Sequence, residues 1–447
     1  MKVNAFGRKL ILIIGDILCL VFATNLAMYF EWGLAWTGKA DFHMELLPIL
    51  IILMLIMFNV YGLFSLLRKR VTEIFLNLFV AILNTFIVAL AFTFLARDFD
   101  YSRMVLLKSA FWAFVFLYIW QYAMHQWEVS QMPKQRTVLF AGADEQKYLS
   151  EKITKYSFTC ELQAVCAGIE DPDWQEKINE CRHVIIAAGI SVAEREKIIC
   201  YAKKNSKVVF IIPTFYEICC RNISLQKLDD LPLHQVSKFV LTGEQEVLKR
   251  TIDLVAAMFA GIFLLPVMLL ASIAIKIDSA GPVLYSQERV GQFGKTFHIY
   301  KFRSMFNDAE AKTGPVLSCE GDARITRVGH FLRATRIDEL PQFFNVLKGD
   351  MSIVGPRPER PIFVERYSEI KPEYAYRLNV KPGITGSAQI YGKYNTDAYE
   401  KLIYDLLYIQ NFSVMYDLTL MLQTFGILLD KNATEGMKYC KKELDDF

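Results

Sequence analysis

The run Arg333-Ala334-Thr335-Arg336-Ile337-Asp338-Glu339-Leu340-Pro341-Gln342 sets two adjacent carboxylates just after two arginines. Pro341 is tolerated only in a first helical turn, so the spacing predicts a helix from near Asp338 to Gly349, where glycine suits a helix end. Asp338 and Glu339 would then occupy the positive end of a helix dipole, a place that keeps an Asp ionised at neutral pH and attracts phosphate and a divalent cation. Taken alone, an Asp-Glu pair at a helix start is more often simple capping. Its neighbours change that. Downstream, Gly355-Pro356-Arg357-Pro358-Glu359-Arg360 is a proline-stiffened turn that would hold a guanidinium in one orientation, as bidentate recognition of phosphate requires. Upstream, Lys301-Phe302-Arg303-Ser304-Met305 alternates basic and apolar residues in the manner of a short strand. Singly, each could be a solvated surface charge; clustered, they describe catalysis on phosphates.

The elements that carry these motifs follow a membrane-like first part. Four apolar segments, 10–30, 46–67, 74–96 and 104–124, are each about the 20 residues that a bilayer crossing needs. Asp16 in the first and Lys108 in the fourth read as paired or snorkelling charges. Lys2, Arg8 and Lys9 precede the first segment as in a signal peptide, but its apolar stretch exceeds the roughly 7–15 residues of such a region, which predicts an uncleaved anchor. Arg68, Lys69 and Arg70 follow the second segment, and Lys134 and Arg136 the fourth. The other two connections offer Lys39, and Arg97 with Arg103 offset by Asp98 and Asp100. Both ends of this bundle are therefore expected to face the cytoplasm.

From 136 to about 240, short β-rich runs (RTVLFAG, LQAVCAGI, HVIIAAG, KVVFIIP) alternate with polar helical stretches, which implies a parallel sheet in a Rossmann-like α/β domain. Its first turn, Phe140-Ala141-Gly142-Ala143-Asp144, lacks the glycine fingerprint that admits a pyrophosphate, so a structural or regulatory role is expected of it. A fifth apolar segment, 254–275, is interrupted by Pro266 and flanked by Lys249 and Arg250 on one side and Lys276 on the other. Cytoplasmic charge at both ends predicts a re-entrant helix over 251–277, broken at Pro266, which enters and leaves on one face; a plain fifth span is the alternative. Near the end, 398–429 carries Tyr399, Tyr404, Tyr408, Phe412 and Tyr416 at near-helical spacing, either a helix lying at the membrane interface or a core helix.

Composition excludes several classes. With 53% hydrophobic residues in 447, the chain is too apolar for an ordinary soluble protein. A net charge of +3 leaves no basic surface for nucleic acid. Nine cysteines without a CxxC pattern, only Cys219 and Cys220 being adjacent, suggest reduced thiols, and the six scattered histidines show no zinc spacing.

The series KFRSM, LRATRIDELPQFFNVLKGDMSIVGPRPE and VKPGITGSAQIYG, in this order and spacing over about 245–430, resembles the bacterial sugar transferases, the polyprenyl-phosphate hexose-1-phosphate transferases. The part before it is similar in architecture to the large members that initiate exopolysaccharide or O-antigen synthesis. The resemblance implies a four-helix transmembrane bundle (1–130), a degenerate Rossmann-like α/β domain (131–245) and an α-rich monotopic catalytic domain (246–447) with the re-entrant helix. It implies transfer of a hexose 1-phosphate from a UDP-sugar to polyprenyl (undecaprenyl) phosphate, with release of UMP and a covalent aspartyl-phosphosugar intermediate. Asp338 would be the nucleophile and Glu339 its assistant, the pair holding Mg²⁺; Lys301 is the motif lysine, Arg333 and Arg357 the phosphate-binding arginines, and Pro266 the break in the membrane helix. The turn Lys381-Pro382-Gly383-Ile384-Thr385-Gly386 matches a loop near the nucleotide. Ser387 departs from the aromatic residue of many relatives, which bears on sugar preference. The implied setting is the bacterial inner membrane, with the catalytic domain cytoplasmic and the chain a homodimer. Two other readings remain: a membrane-anchored sensor or scaffold without catalysis, and a glycosyltransferase that moves the sugar alone and releases UDP.

Overall fold

The computed structural model describes residues 5–33, 40–95, 102–131, 134–156, 159–221, 224–236, 238–306, 322, 324–392 and 396–428. Lys2, Lys39, Arg97, Asp98 and Asp100, on which part of the expected orientation rests, lie outside them, as does Ala96. The chain divides into two compact units, Met1–Pro213 and Thr214–Phe447.

The first unit opens with four helices, α1 (Ala5–Trp32), α2 (Ala40–Val60), α3 (Val71–Leu95) and α4 (Arg103–Gln131). By length and apolar composition α1, α3 and α4 can cross a membrane, whereas the apolar part of α2, Glu45–Val60, is shorter. Helix α1 packs closely along α4: a Cβ on Gly15 would lie 2.1 Å from the Trp120 ring, and Trp120 Nε1 donates to the Leu12 carbonyl at 3.3 Å. The two charges in these helices have partners. Asp16 accepts from Gln121 Nε2 at 3.3 Å, and Lys108 pairs with Glu31.

All four β-rich runs form strands: β1 (Gln135–Phe140), β2 (Cys160–Cys166), β3 (His183–Ile186) and β4 (Val208–Ile211). They alternate with α5 (Ala143–Tyr156), α6 (Trp174–Glu180) and α7 (Val192–Lys204). The sheet is parallel with order β2-β1-β3-β4. Val138, Phe140, Val184 and Ile186 are buried in its core. Strand order reverses beside β1, where open α/β sheets take ligands. There the Glu145 carboxylate already accepts the Gly189 N–H at 3.1 Å, placing an anion next to the turn that a phosphate would need.

The second unit begins with α8 (Phe215–Cys219) and the hairpin β5 (Ser224–Leu228) and β6 (Leu231–Gln235), then α9 (Gly243–Asp278). Phe215, Phe239 and Tyr376 stack on one another, so the stretch after Pro213 belongs to this unit rather than to the α/β domain. Helix α9 starts in a capping box, Thr242 with Gln245, and runs 36 residues with Pro266 inside it. The proline removes one N–H from the ladder without ending the helix, so the expected break does not divide it into two helices. The middle of α9 is bare of protein, with Ile262 and Phe263 71% and 73% exposed.

Beyond α9 come the hairpin β7 (Leu284–Val290) and β8 (Thr296–Phe302), α10 (Arg327–Ala334), a 3-10 turn Ile337–Glu339, α11 (Gln342–Lys348) and β9 (Ser352–Val354). There follow α12 (Pro361–Ile370), a 3-10 stretch Pro372–Asn379, β10 (Gly383–Thr385), α13 (Ser387–Tyr391), α14 (Ala398–Gln410) and α15 (Val414–Leu428). The aromatic C-terminal segment is thus two helices, and Leu402, Leu406, Tyr408, Ile409 and Phe412 are buried in the main core of the unit. This settles the alternative in favour of a core element for α14, because its aromatic face has protein to pack on.

Strands β9 and β10 pair in parallel and cross the unit where the PRP turn meets the VKPGITG turn. A Cβ on Gly383 would lie 2.1 Å from the Gly355 nitrogen and 2.5 Å from the Thr385 oxygen, both backbone atoms that cannot swing aside. Gly383→Ala is therefore expected to destabilise the unit by about 1–3 kcal/mol, as overpacking does. A thermal melt of the purified variant in detergent, giving an unchanged midpoint, would contradict the packing described.

Candidate active site

Lys301, Glu339 and Arg357 converge from three separate elements. Lys301 comes from the end of β8, paired across the hairpin with Tyr285. The strand is locked to α11 by one side chain: the buried Asn345 accepts the Tyr300 N–H at 3.0 Å and donates to the His298 carbonyl at 2.7 Å. Lys301 Nζ thereby reaches Glu339 Oε1 at 2.9 Å. Arg357, from the PRP turn, reaches the same oxygen at 2.9 Å. Arg336 approaches Glu339 Oε2 at 3.7 Å.

The carboxylates do not begin a regular helix as expected. Arg336 takes a left-handed conformation (φ 54°), the 3-10 turn Ile337–Glu339 follows, and α11 starts only after Pro341. Gly349 ends α11 at φ 99°, as the sequence suggests. The charge environment of Asp338 and Glu339 is therefore set by side chains rather than by a helix dipole. Burial alone would raise the Glu339 carboxyl, but Lys301, then Arg357 and Arg336, overcome it and hold the group well below the usual range. Asp338 is treated in the opposite way. Burial, then the Glu339 charge, push it up to about 6, against Lys301, Arg333 and Arg357. Among the described residues Asp338 makes no ion pair, whereas Glu339 is shared by three cations.

Of the two, Asp338 is the carboxylate outside any ion pair among the described residues, and a pKa near 6 gives it a more basic oxygen than an ordinary Asp, still largely ionised at neutral pH. Arg333 Nε donates to Ser304 Oγ at 2.9 Å and contributes its charge near Asp338. Arg303, of the same KFRSM run, turns away and donates to the Ser279 and Ala280 carbonyls just past α9. Ser387 is buried and donates to the Tyr404 carbonyl at 2.8 Å, so its hydroxyl is committed to α14. Pro266 lies apart from these groups, in the exposed middle of α9.

Mg²⁺ is commonly held by one or two carboxylates together with substrate phosphates. No cluster of three or more His, Cys, Asp or Glu suited to a metal occurs among the described residues. Glu339 is paired with its cations, and Asp338, buried beside it, makes no ion pair among the described residues. The residues fit a cation held by the adjacent carboxylates Asp338 and Glu339 together with the phosphates of a bound donor.

Residue-type patterns missed part of this site. Arg336 stands three residues before Glu339, a spacing that could have marked it as a partner. Asn345 and Ser304 gave no signal, since their roles are hydrogen bonds to distant backbone and side chains.

A sequence model of the bacterial sugar transferases matches residues 244–431. An Aeromonas hydrophila UDP-N-acetylgalactosamine-undecaprenyl-phosphate N-acetylgalactosaminephosphotransferase is 43% identical over 206 residues, 45% of this chain and 48% of that protein. The Escherichia coli K12 UDP-glucose:undecaprenyl-phosphate glucose-1-phosphate transferase is 36% identical over 254 residues, 56% of this chain and 54% of that protein. A Caulobacter vibrioides protein of the latter name is 44% identical over 186 residues, 40% of this chain and 69% of that protein. The matched region thus spans about half the length of the first two relatives and more than two thirds of the third.

Proposed function

Since this chain belongs to the bacterial sugar transferase family, we propose that it transfers a sugar 1-phosphate from a UDP-sugar to polyprenyl phosphate, releasing UMP, as the first step of a surface glycan. The observation that carries the reading is the unequal treatment of two adjacent carboxylates among the described residues, Glu339 in ion pairs with three cations and Asp338 in none.

Asp338 attacks the sugar-bearing phosphorus of the donor; a P–O bond to the carboxylate forms, the P–O bond to UMP breaks, and UMP leaves with the electron pair. An oxygen of the lipid phosphate then attacks the same phosphorus and returns Asp338 as a free carboxylate. One difficult displacement becomes two easier ones. Lys301, Arg333 and Arg357 counter the charge that accumulates on the phosphate oxygens, where most acceleration of phosphoryl chemistry arises. Glu339 holds Lys301 and Arg357 against each other at 2.9 Å each, so two like charges stay side by side before substrate arrives. Asp338 and Glu339 would hold Mg²⁺, which would supply neutralisation of phosphate charge. EDTA is expected to stop UMP release and added Mg²⁺ to restore it; turnover unaffected by the chelator would remove the metal from the proposal.

The lipid acceptor requires the site to lie at a membrane face, and α9 supplies a re-entrant anchor in this reading. A straight helix would separate Arg250 and Ile275 by roughly 38 Å at 1.5 Å per residue. Yet Arg250 donates to the Val346 and Leu347 carbonyls of α11, while Ile275 packs in a cluster with Ile337 and Leu340, just before α11. Both ends docking on one small region favours a helix bent near Pro266. The setting we propose is the cytoplasmic face of a bacterial inner membrane, with the α/β domain Rossmann-like without a nucleotide and the chain a homodimer.

The deciding experiment is a panel of UDP-sugars assayed with undecaprenyl phosphate. UMP as the nucleotide product supports the reading; UDP would indicate transfer of the sugar alone, and no turnover with any donor would favour a sensor or scaffold.

A further inference from the structure

The PRP turn is held through its carbonyl groups. Gly383 N–H donates to the Pro356 carbonyl at 2.9 Å, and Val290 N–H to the Glu359 carbonyl at 2.9 Å. Arg289 Nη1 donates to the Pro358 carbonyl at 3.1 Å. The remaining carbonyl, that of Arg357, accepts from Arg377 Nη2 at 2.9 Å. Four consecutive carbonyls therefore each have a donor, in a turn whose two prolines have fixed φ.

Arg377 is the unusual member of this set. It is 6% exposed, and all three nitrogens of its guanidinium are engaged by groups from different elements. Nε donates to Asp405 of α14 at 3.0 Å, Nη2 lies 2.8 Å from the same carboxylate oxygen, and Nη1 donates to the Tyr374 hydroxyl. A guanidinium presents its donors in a rigid plane, so fixing three sides fixes the fourth. We infer that Arg377, anchored by Asp405 and Tyr374, is a positioning residue that sets the backbone of Arg357 and thereby the direction of its side chain toward Glu339 and the donor phosphate. The inference rests on the reading of Arg357 as a phosphate-gripping residue. Arg377 touches no reacting atom. Its contribution is to hold Arg357 in its working position before the donor binds, and displacement of a reacting group by about 1 Å can cost 10²-fold in rate.

The test uses the full chain in detergent or nanodiscs, with UMP release as the readout. Arg377→Lys keeps the charge opposite Asp405 but cannot present the planar fork to Arg357. It is expected to lower kcat/KM by about 10- to 100-fold, with the same division between kcat and KM as Arg357→Lys. The paired change Arg377→Met with Asp405→Leu removes both buried charges, so the melting temperature is expected to hold while kcat/KM falls as far. In an Arg357→Ala background, Arg377→Lys should cost nothing more, because the group it positions is gone. Wild-type kcat/KM in Arg377→Lys, or a full multiplicative loss in the Arg357→Ala background, overturns the inference and leaves the proposed function standing. An Arg357→Ala variant that releases UMP at the wild-type rate removes the reading of Arg357 and the inference with it.

Discussion

Asp338→Asn is expected to lower UMP release by roughly 10³-fold or more, the scale on which removing a covalent nucleophile acts. The substitution preserves shape and removes the charge, so the neighbouring cations keep Glu339 and the turn keeps its conformation. What disappears is the oxygen that, in the proposed mechanism, forms the new P–O bond. Intact-mass measurement after quenching with UDP-sugar alone should show a sugar-phosphate adduct on the unsubstituted chain and none on the variant. Near-normal turnover by Asp338→Asn, or an adduct that maps to another side chain, would take Asp338 out of the mechanism. Glu339→Gln should behave differently. It leaves Lys301 and Arg357 facing each other without their shared carboxylate, so loss there reports on the array of cations and not on the nucleophile.

The largest expected effect on stability is at Lys249. This residue of α9 is 5% exposed, and its ammonium pairs with Asp417 of α15 at 2.5 Å and donates to the Tyr408 hydroxyl of α14 at 3.0 Å. Tyr408 in turn donates to the other Asp417 oxygen at 2.8 Å. Lys249→Met leaves the Asp417 carboxylate buried without compensation, a loss of about 3–5 kcal/mol. At about 2–4 °C per kcal/mol for a unit of this size, the melting midpoint in detergent should fall by roughly 10 °C. Adding Asp417→Leu should recover most of it, because the uncompensated charge is then gone. A Lys249→Met variant as stable as the parent would show that solvent or another group reaches Asp417.

Much of this molecule is legible in its residues, and the exceptions share a physical cause. Four strands of the α/β domain fall where β-branched runs lie between polar helices, and the apolar segments become helices. Lys301, Glu339 and Arg357 are brought together as their clustering suggested, because three short motifs each place a charge at the end of a strand, in a tight turn or between two prolines. Pattern reading failed where a local rule met a longer-range one. Pro341 suggested a helix start at Asp338, but the left-handed Arg336 and a 3-10 turn displace it, so that Asp338 is buried beside Glu339. The aromatic periodicity of α14 fits a membrane interface and a protein core equally, since both bury one apolar face; only the residues opposite decide. Arg377, Asp405 and Asn345 lay beyond reach because their partners are distant in sequence.

The surplus of positive groups around Asp338 has a kinetic consequence. Four cations, Lys301, Arg333, Arg336 and Arg357, face two carboxylates, an excess of two positive charges that a diphosphate of two negative charges cancels. Attraction of this kind reaches into solvent and is screened over about 8–10 Å at ordinary ionic strength. Capture of dilute donor should accordingly weaken as salt rises, while the saturated enzyme, its charges already matched by the bound nucleotide, turns over at an unaltered pace.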